Sequence, residues 1–285
     1  MSFFRQFPKT TYDFGNNGID TTIVDLFRFI KAEDIYQDDL SAYTYYQVKN
    51  GDRPDVVSSV LYGTPDYYWT FFILNEHLKT GISGWPMSTE MFETYIQQEY
   101  DGIVIITKPK INRDGTNTVL SITNSLVDRF DINDIVRGSK FGATGRVAKK
   151  DVQLSQLVLK DVVGIFDSKE EDIVEQTQQS DADSVDIVTS HKVLPYAYAP
   201  HHYETVDGLE SYNSLFINEQ FLYTPTGTQI DNSGNLDSQV SDSYLNPVSN
   251  YEYELQLNDD RANLRVVRPE HIYDFVKTFK EKINA

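Results

Sequence analysis

Residues 46–75 constrain the fold more than any other stretch, because strong local structure signals follow one another there without a gap. The sequence reads YQVKNGDRPDVVSSVLYGTPDYYWTFFILN. A Tyr- and Thr-rich strand is expected over 41–49, and the Asn-Gly-Asp run at 50–52 supplies a tight turn. Pro54 suits the first turn of a helix, and Gly63 ends that helix as a C-cap glycine. We therefore predict a strand, a turn and a short helix in direct succession.

A second short helix is expected over 65–74, and it is unusually aromatic. Its aromatic residues are Tyr67, Tyr68, Trp69, Phe71 and Phe72. A unit this small needs several of them buried, so Trp69, Phe71 and Phe72 are predicted to lie in the core. Tyr67 and Tyr68 are predicted to face outward and to anchor a partner. Arg53 has two open interpretations, capping of the first helix or a salt bridge to a neighbouring subunit.

Further helices are expected on both sides of this stretch. Thr21 and Thr22 can cap a helix whose apolar residues follow a 3.6-residue period, namely Ile23, Leu26, Phe27 and Ile30. Another helix is expected over 88–100, opened by Ser88 or Thr89. The fold class predicted for the chain is α+β.

The pattern changes after residue 101 to short strands separated by turns, which is typical of a small antiparallel barrel. The strands are expected over 103–107, 119–123, 134–137, 145–149 and 157–163. A strongly acidic stretch follows at 167–186 and is interpreted as a linker or a mobile edge of the barrel. Residues 181–250 are expected to form an extended acidic and Tyr-rich arm.

The C-terminal segment is predicted to be a β-hairpin followed by a helix. Tyr and Leu alternate with Glu and Gln over 251–257, as in a half-buried strand. Residues 258–261 are expected to turn, and 264–267 to return as the partner strand. The last helix presents one apolar face, made of Ile272, Phe275, Val276, Phe279 and Ile283.

Composition argues against several classes of function. The formal net charge of −18 disfavours binding to nucleic acid or to an anionic membrane. One basic stretch at 137–150 is interpreted as a solvated rim rather than a phosphate-binding patch. No cysteine is present, which excludes thiol nucleophiles and zinc-thiolate sites. The first residues lack a secretory pattern and no long apolar run occurs, so we expect a soluble protein that folds in a reducing cytoplasm.

No pattern predicts catalysis or a cofactor. The Gly-x-Ser-x-Gly and His-Glu-x-x-His motifs are absent, and Gly142 and Gly145 are not followed by Gly-Lys-Ser/Thr. His201 and His202 are interpreted as part of an ordinary polar loop, since adjacent strand residues point to opposite faces. Asp181, Asp183 and Asp186 lack the glycine and the terminal glutamate of a calcium loop. We predict neither an enzyme, nor a bound metal, nor a cofactor.

The motifs of residues 46–75 resemble the LysM module, which has a Tyr-x-Val strand, a Gly-Asp turn, a helix ending in Tyr-Gly and a Leu-Asn finish. Where carbohydrate-binding LysM modules usually have Thr after Gly-Asp, this chain has Arg-Pro. That turn, the Tyr-Gly-x-Pro junction at 62–65, the Tyr-Trp pair at 68–69 and the later Gly-Trp resemble the baseplate wedge protein 53 family of contractile-tailed phages. The C-terminal Tyr-Glu-Tyr-Glu run, Asn258 and Arg261 are similar to the same family. The interface or module-defining residues are then Tyr46, Gly51, Asp52, Arg53, Pro54, Tyr62, Gly63, Tyr67, Tyr68, Trp69, Asn75, Trp85, Tyr251, Tyr253 and Arg261.

The resemblance implies a structural subunit, present in several copies, in the tail baseplate of a virion assembled in the host cytoplasm. Its implied partners are wedge-core subunits, the sheath-nucleating subunit and neighbouring wedges, and it would help transmit the contraction trigger. The implied domains are an N-terminal arm and helix (1–40), a LysM-like βααβ module (41–100), an inserted β-barrel-like domain (101–180), the arm (181–250) and the hairpin with its helix (251–285). The alternative is a LysM-type module that binds peptidoglycan or another glycan.

Overall fold

The computed structural model of the protein describes residues 7–25, 40–107, 110–113, 119–123, 127, 129–152, 154–167, 173–175, 191–205, 211–212, 216–218, 221–223, 229–230 and 245–284. The chain divides into two compact units. Unit 1 comprises Met1–Phe92 together with Gln256–Ala285, and unit 2 comprises Glu93–Leu255. Within the described ranges, no helix is long and apolar enough to span a bilayer.

Helices and strands both occur in the described parts of the chain, which confirms the α+β class. The strands are β1 (Lys9–Tyr12), β2 (Thr21–Val24), β3 (Tyr43–Gln47), β4 (Ile103–Thr107), β5 (Lys110–Arg113), β6 (Val119–Thr123), β7 (Ile135–Gly138), β8 (Thr144–Asp151), β9 (Gln156–Val163), β10 (Ile173–Glu175), β11 (His191–Pro195), β12 (Pro200–Thr205), β13 (Ser211–Tyr212), β14 (Phe216–Asn218), β15 (Phe221–Tyr223), β16 (Gln229–Ile230), β17 (Leu245–Ser249) and β18 (Asn263–Val267). The α-helices are α1 (Pro54–Tyr62), α2 (Trp69–Leu74), α3 (Thr89–Glu99), α4 (Asn250–Ala262) and α5 (Ile272–Asn284). Short 3₁₀-helices cover Leu40–Ala42, Pro65–Tyr67, Glu76–Gly84, Tyr196–Tyr198 and Pro269–His271.

Unit 1 is built on an antiparallel pair of strands from distant parts of the sequence. β3 pairs with β18, so that Tyr43 lies opposite Val267. Leu264 and Val266 belong to a buried cluster with residues of α1 and α2, whereas Val267 belongs to a second cluster with residues of α5. Since alternate strand residues point to opposite faces, β18 contributes side chains to both cores of the unit.

The last helix, α5, has the amphipathic form that its sequence predicts. Its buried residues are Ile272, Phe275, Val276, Phe279 and Ile283. These five positions recur every three or four residues and therefore share one helix face. They pack with Trp69 and Val267, which confirms the predicted apolar face.

The prediction of a strand over 251–257 is wrong, because these residues lie in helix α4. The Oγ of Ser249 accepts the Glu252 N–H at 3.2 Å, and the Glu252 carboxylate accepts the Ser249 N–H at 2.9 Å. This is a capping box, which satisfies backbone donors that have no partner at a helix start. The predicted C-terminal hairpin is therefore absent, and the partner of β18 is β3.

The prediction of a helix capped by Thr21 and Thr22 is also wrong in the described part. Thr21–Val24 forms β2, which pairs antiparallel with β1. The residues of β2 are all β-branched, and such side chains favour a strand over a helix. The remaining residues of the predicted helix, including Leu26, Phe27 and Ile30, lie outside the described residues.

Unit 2 contains a six-stranded antiparallel sheet in the order β10-β7-β8-β9-β4-β11. The sheet forms a half-barrel, and among the described residues its end strands β10 and β11 are not paired with each other, so the barrel that the sequence predicts is not closed in that part of the chain. One core cluster contains Ile105, Leu157 and Leu159, and another contains Val104 and Val158. The adjacent strands β9 and β4 thus contribute buried side chains on both faces of the sheet.

Part of the predicted arm is regular structure. β11 is an end strand of the six-stranded sheet, and β12 lies between β13 and β17 in a three-stranded sheet. Residues 191–205 are therefore not an extended arm. Most of the acidic stretch at 167–186, including Asp181, Asp183 and Asp186, lies outside the described residues.

Candidate partner-binding surface

The Gly-Asp-Arg-Pro turn and Trp85 are brought together in unit 1. Gly51 has φ +80°, a left-handed conformation that glycine adopts without steric cost. Trp85 is 7% exposed, and its Nε1–H donates to the backbone oxygen of Asp52 at 2.8 Å. The indole ring packs 6.2 Å from the ring of Phe72. The Gly-Asp-Arg-Pro turn and the Gly-Trp pair are therefore joined by a direct hydrogen bond between residues 33 positions apart.

Arg53 precedes helix α1, but its side chain makes no capping hydrogen bond. Its Nε lies 3.2 Å from the Asp55 carboxylate, and its side chain is 77% exposed. An ion pair at this exposure contributes little to stability. Arg53 therefore occupies the N-cap position of α1 without forming a side-chain cap, and a salt bridge to a neighbouring subunit stays a prediction. Pro54 is buried at the first position of α1, where its missing N–H has no cost.

The Tyr-Gly junction ends helix α1 in the predicted way. Gly63 has φ +72°, and its N–H donates to the Ser59 oxygen at 3.0 Å. The hydroxyl of Tyr62 donates to the Val267 oxygen at 2.9 Å, and burial raises the pKa of Tyr62. A raised pKa keeps this phenol protonated, so it remains a hydrogen-bond donor to β18.

The predicted division of the aromatic residues of 67–72 into core and outward-facing side chains is met only in part. Trp69 and Phe71 are 2% and 0% exposed, which confirms them as core residues. Phe72, Tyr67 and Tyr68 are half-buried. Each of the two tyrosines thus keeps part of its ring accessible, as contact with a partner requires. Tyr46 is also half-buried and packs against the cluster that contains Phe71.

A groove of about 750 Å³ lies beside the Gly-Asp-Arg-Pro turn. It is lined by Gly51, Asp52, Arg53, Pro54, Asp55, Tyr68, Ile82, Ser83, Trp85, Pro86, Met87, Ser88 and Met91. Ile82 and Met91 are 67% and 63% exposed. Exposed large apolar side chains next to a concave surface are typical of protein–protein contact sites. Methionine adapts its shape to different partners, which adds to this interpretation.

Asparagine side chains hold the wall of the groove in place. The Asn258 amide accepts the Met87 N–H at 2.7 Å and donates to the Met87 oxygen at 3.1 Å. The Oδ1 of Asn50 accepts the Thr89 N–H at 2.9 Å. Sequence reasoning placed Asn50 and Asn258 only in turns. Their spacing carries no signal for these bonds, because Asn258 and Met87 lie 171 residues apart.

His77 and Arg261 of unit 1 interact. Burial lowers the pKa of His77, a backbone hydrogen bond to Arg261 raises it, and the Arg261 charge lowers it further. The Nε2 of His77 is buried and has no hydrogen-bond partner among the described residues. The sequence identified Arg261 as a site residue but did not predict its contact with His77.

Tyr251 and Tyr253 belong to unit 2, whereas the other predicted residues belong to unit 1. The Tyr251 hydroxyl donates to a Glu93 carboxylate at 2.9 Å. The ring of Tyr253 stacks on His201 at 3.8 Å with an interplanar angle of 9°. Both tyrosines are half-buried.

The two histidines lie in strand β12 rather than in a loop, so that interpretation is wrong. The ladder between β12 and β17 shifts register between Pro200 and His202, and such an irregularity can re-aim a side chain. The Nδ1 atoms of His201 and His202 lie 3.0 Å apart, and His202 Nε2 lies 3.0 Å from Glu204. Across the described residues, no group of three or more His, Asp or Glu side chains is arranged to hold a metal ion.

The basic stretch at 137–150 carries local counter-charges. Lys140 pairs with Asp167, Arg146 lies 3.4 Å from Asp161, and Lys150 lies 3.6 Å from Asp131. These carboxylates reduce the positive field that an anionic ligand would need. The arrangement agrees with a solvated rim.

Comparison with known proteins gives one family. Residues 2–111 match the family model described as base plate wedge protein 53. The matched residues include the Gly-Asp-Arg-Pro turn, helices α1 to α3 and the groove. No curated protein matches the chain at a significant level. The match spans 110 of the 285 residues, so the role that the family's description names is a proposal for this chain.

Proposed function

We propose, from the match of residues 2–111 to the base plate wedge protein 53 family, that this chain is a non-enzymatic structural subunit that joins wedge components of a phage tail baseplate. The observation that supports this most is the position of the groove. Its lining residues all lie within the family match, and its rim presents Ile82 and Met91 to solvent. A structural subunit works through such contact surfaces.

The groove is the proposed contact with a wedge-core subunit. The turn at 51–54 supplies one wall and the segment around Trp85 supplies another, so the groove exists only when both motifs are folded together. The partner would insert an apolar side chain between Tyr68 and Met91, and Arg53 at the rim would pair with a partner carboxylate. Exposed charges at a rim mainly set specificity and the rate of encounter.

The finer role follows from the resemblance. Wedge-core subunits, the sheath-nucleating subunit and neighbouring wedges are the proposed partners, and transmission of the contraction trigger is the proposed task during infection. Two compact units in one chain support this role, because each unit can contact a different subunit. Assembly would take place in the host cytoplasm, followed by residence in the virion.

A charge placed in the groove tests the proposal. Met91→Glu should prevent incorporation into tails, because burying an unpaired carboxylate in an apolar contact is costly. The matched control is Val60→Glu, since Val60 in helix α1 is 62% exposed and does not line the groove. Incorporation is measured by mass spectrometry of purified tails from phage that encode each variant.

Three results would contradict the proposal. The wild-type chain could be absent from purified tails, or Met91→Glu could incorporate as well as Val60→Glu. In the third case the purified chain would be retained by peptidoglycan at physiological salt and lose retention with Met91→Glu, which would favour the glycan-binding alternative. The fold of both variants is checked by far-ultraviolet circular dichroism.

A further inference from the structure

The two outer edges of the β3–β18 ribbon differ in their hydrogen bonding. The Val48 N–H donates to Ala262 at 2.8 Å, and the Arg268 N–H donates to Ala42 at 2.9 Å. In an antiparallel pair, hydrogen-bonded positions alternate with positions whose backbone groups point away. Following this alternation along β3, Thr44 and Tyr46 face β18, whereas the N–H and C=O groups of Tyr45 and Gln47 point outward.

The outer edge of β18 is closed by side chains. The Asn75 amide donates to the Arg265 oxygen at 3.0 Å and accepts the Arg265 N–H at 2.9 Å. The Tyr62 hydroxyl donates to the Val267 oxygen at 2.9 Å. These bonds occupy the outward N–H and C=O of Arg265 and the outward C=O of Val267, so a further strand could not pair with these groups without displacing the side chains.

In the part of the chain that the structure describes, the outer edge of β3 has no strand paired to it. Among the described residues, no group hydrogen-bonds the outward backbone of Tyr45 or Gln47. The Arg268 Nε donates to the Tyr43 oxygen at 3.1 Å, so the open length begins after Tyr43. Tyr45 is 71% exposed. Exposed, unpaired backbone groups on a strand form a template for another strand.

β3 lacks the devices by which proteins block an edge strand. Its sequence, YTYYQ, contains no charged residue and no proline. Its register with β18 runs from Tyr43 to Gln47 without a bulge. Tyr and Thr have high strand propensity and pack well across a strand pair. The edge is therefore competent for pairing along its open length.

We propose that the outer edge of β3 pairs with an extended strand of another baseplate protein, and that this strand carries neutral or basic residues. Outward N–H and C=O groups at alternate positions match the backbone of an extended chain better than a helix or a side chain. A second copy of this chain is disfavoured, because each copy carries a net charge of −18 and like charges repel. The inference rests on the proposed baseplate function and concerns a surface other than the groove.

Amide hydrogen exchange at single-residue resolution tests the edge directly. In the purified full-length chain, the Tyr45 and Gln47 amides should exchange at least about 100-fold faster than those of Thr44 and Tyr46, which bond to β18. In purified tails, the same two amides should slow by at least about ten-fold. Protection of Tyr45 and Gln47 already in the monomeric chain would overturn the proposal, because another part of the chain would then occupy the edge.

A pair of substitutions separates backbone pairing from side-chain contact. Tyr45→Pro removes an outward N–H and spares the bonds to β18, since proline is tolerated where an edge N–H faces solvent. Tyr45→Thr removes the ring and keeps the backbone donor. Incorporation into tails should fall at least about ten-fold with Tyr45→Pro and stay within about two-fold with Tyr45→Thr, provided that backbone bonds carry the contact.

The outcomes separate the inference from the function beneath it. Equal incorporation of Tyr45→Pro and wild type would overturn the inference, as would equal losses with both variants. Wild-type chain that is present in tails with unprotected Tyr45 and Gln47 amides would overturn the inference alone. Absence of the wild-type chain from purified tails would overturn the baseplate function and the inference with it. Should Tyr45→Pro fail to fold, the exchange measurement on wild-type chain still decides.

Discussion

Asn75 and Arg265 lie 190 residues apart, yet the Asn75 amide makes both hydrogen bonds that a neighbouring strand would make to Arg265. The same Nδ2 also donates to the Phe71 oxygen at 2.8 Å, and Asn75 is 6% exposed. Asn75 therefore fixes the end of helix α2 against strand β18. Without it, the partly buried backbone N–H and C=O of Arg265 would lose their partners.

Asn75→Ala is expected to lower the free energy of unfolding by about 2–3 kcal/mol, because the Arg265 N–H and C=O lose their partners. The control is Asn263→Ala, since Asn263 is exposed in the same strand and its substitution should change stability by less than about 0.5 kcal/mol. Urea denaturation followed by tryptophan fluorescence measures both. Equal effects of the two substitutions would contradict the role of Asn75.

Tyr62→Phe is expected to lower the free energy of unfolding by about 1 kcal/mol, since it removes one hydrogen bond from the partly buried Val267 oxygen and keeps the ring packing. Tyr273→Phe is the matched control, because Tyr273 is 71% exposed. The two variants are compared by thermal and urea unfolding. A stability of Tyr62→Phe equal to that of wild type would show that water replaces the phenol at β18.

The capping box of helix α4 predicts coupling between two residues. Ser249→Ala and Glu252→Ala should each lower the free energy of unfolding by about 1 kcal/mol, because each removes partners of the first backbone N–H groups. The double variant should lose less than the sum of the single losses, as expected for residues that bond each other. Gln256→Ala, at an exposed position of the same helix, is the control. Strict additivity would speak against the capping box.

His77 predicts that stability falls in mild acid. Burial lowers its folded-state pKa below the ordinary value of 6.5, so above that pH both the folded and the unfolded forms carry a neutral imidazole. As the pH falls below 6.5, the unfolded chain binds a proton first, and the folded state loses stability until the pH reaches the folded-state pKa. Burial lowers the pKa of His201 as well, and its effect has the same sign.

The test compares the free energy of unfolding at pH 7.5 and pH 5.5 for the wild type and for His77→Gln. The variant should lose less stability between the two conditions, because it cannot take up the proton. Comparing the same protein at two pH values cancels any constant cost of the substitution. An unchanged difference would show that other groups set the acid sensitivity.

Sequence predicted the elements whose signals are local. Pro54 begins helix α1 and Gly63 ends it. The spacing of the apolar residues in α5 predicted which face of that helix is buried. Strands β4 and β6 have the predicted bounds. In each case the backbone conformation is set by steric and hydrogen-bonding preferences of a few neighbouring residues.

The local signals failed where two of them competed. The alternating pattern over 251–257 favours a strand, whereas the pair Ser249 and Glu252 favours the start of a helix. The helix forms because this pair caps its first backbone N–H groups. In β2, β-branched residues outweighed the apolar spacing that suggested a helix. A capping-box signature was present in the sequence and could have identified α4.

The sequence by itself therefore determined the local backbone structure of unit 1, namely its turns and helix ends, and the resemblance to a family that these motifs carry. Only the tertiary structure decided that β18 is the partner of β3, that Asn75 and Tyr62 close one edge of that ribbon, and that Trp85 bonds to Asp52. The physical reason is sequence distance. Pairing between residues about 200 positions apart depends on which buried surfaces fit together, and no short-range preference encodes that fit.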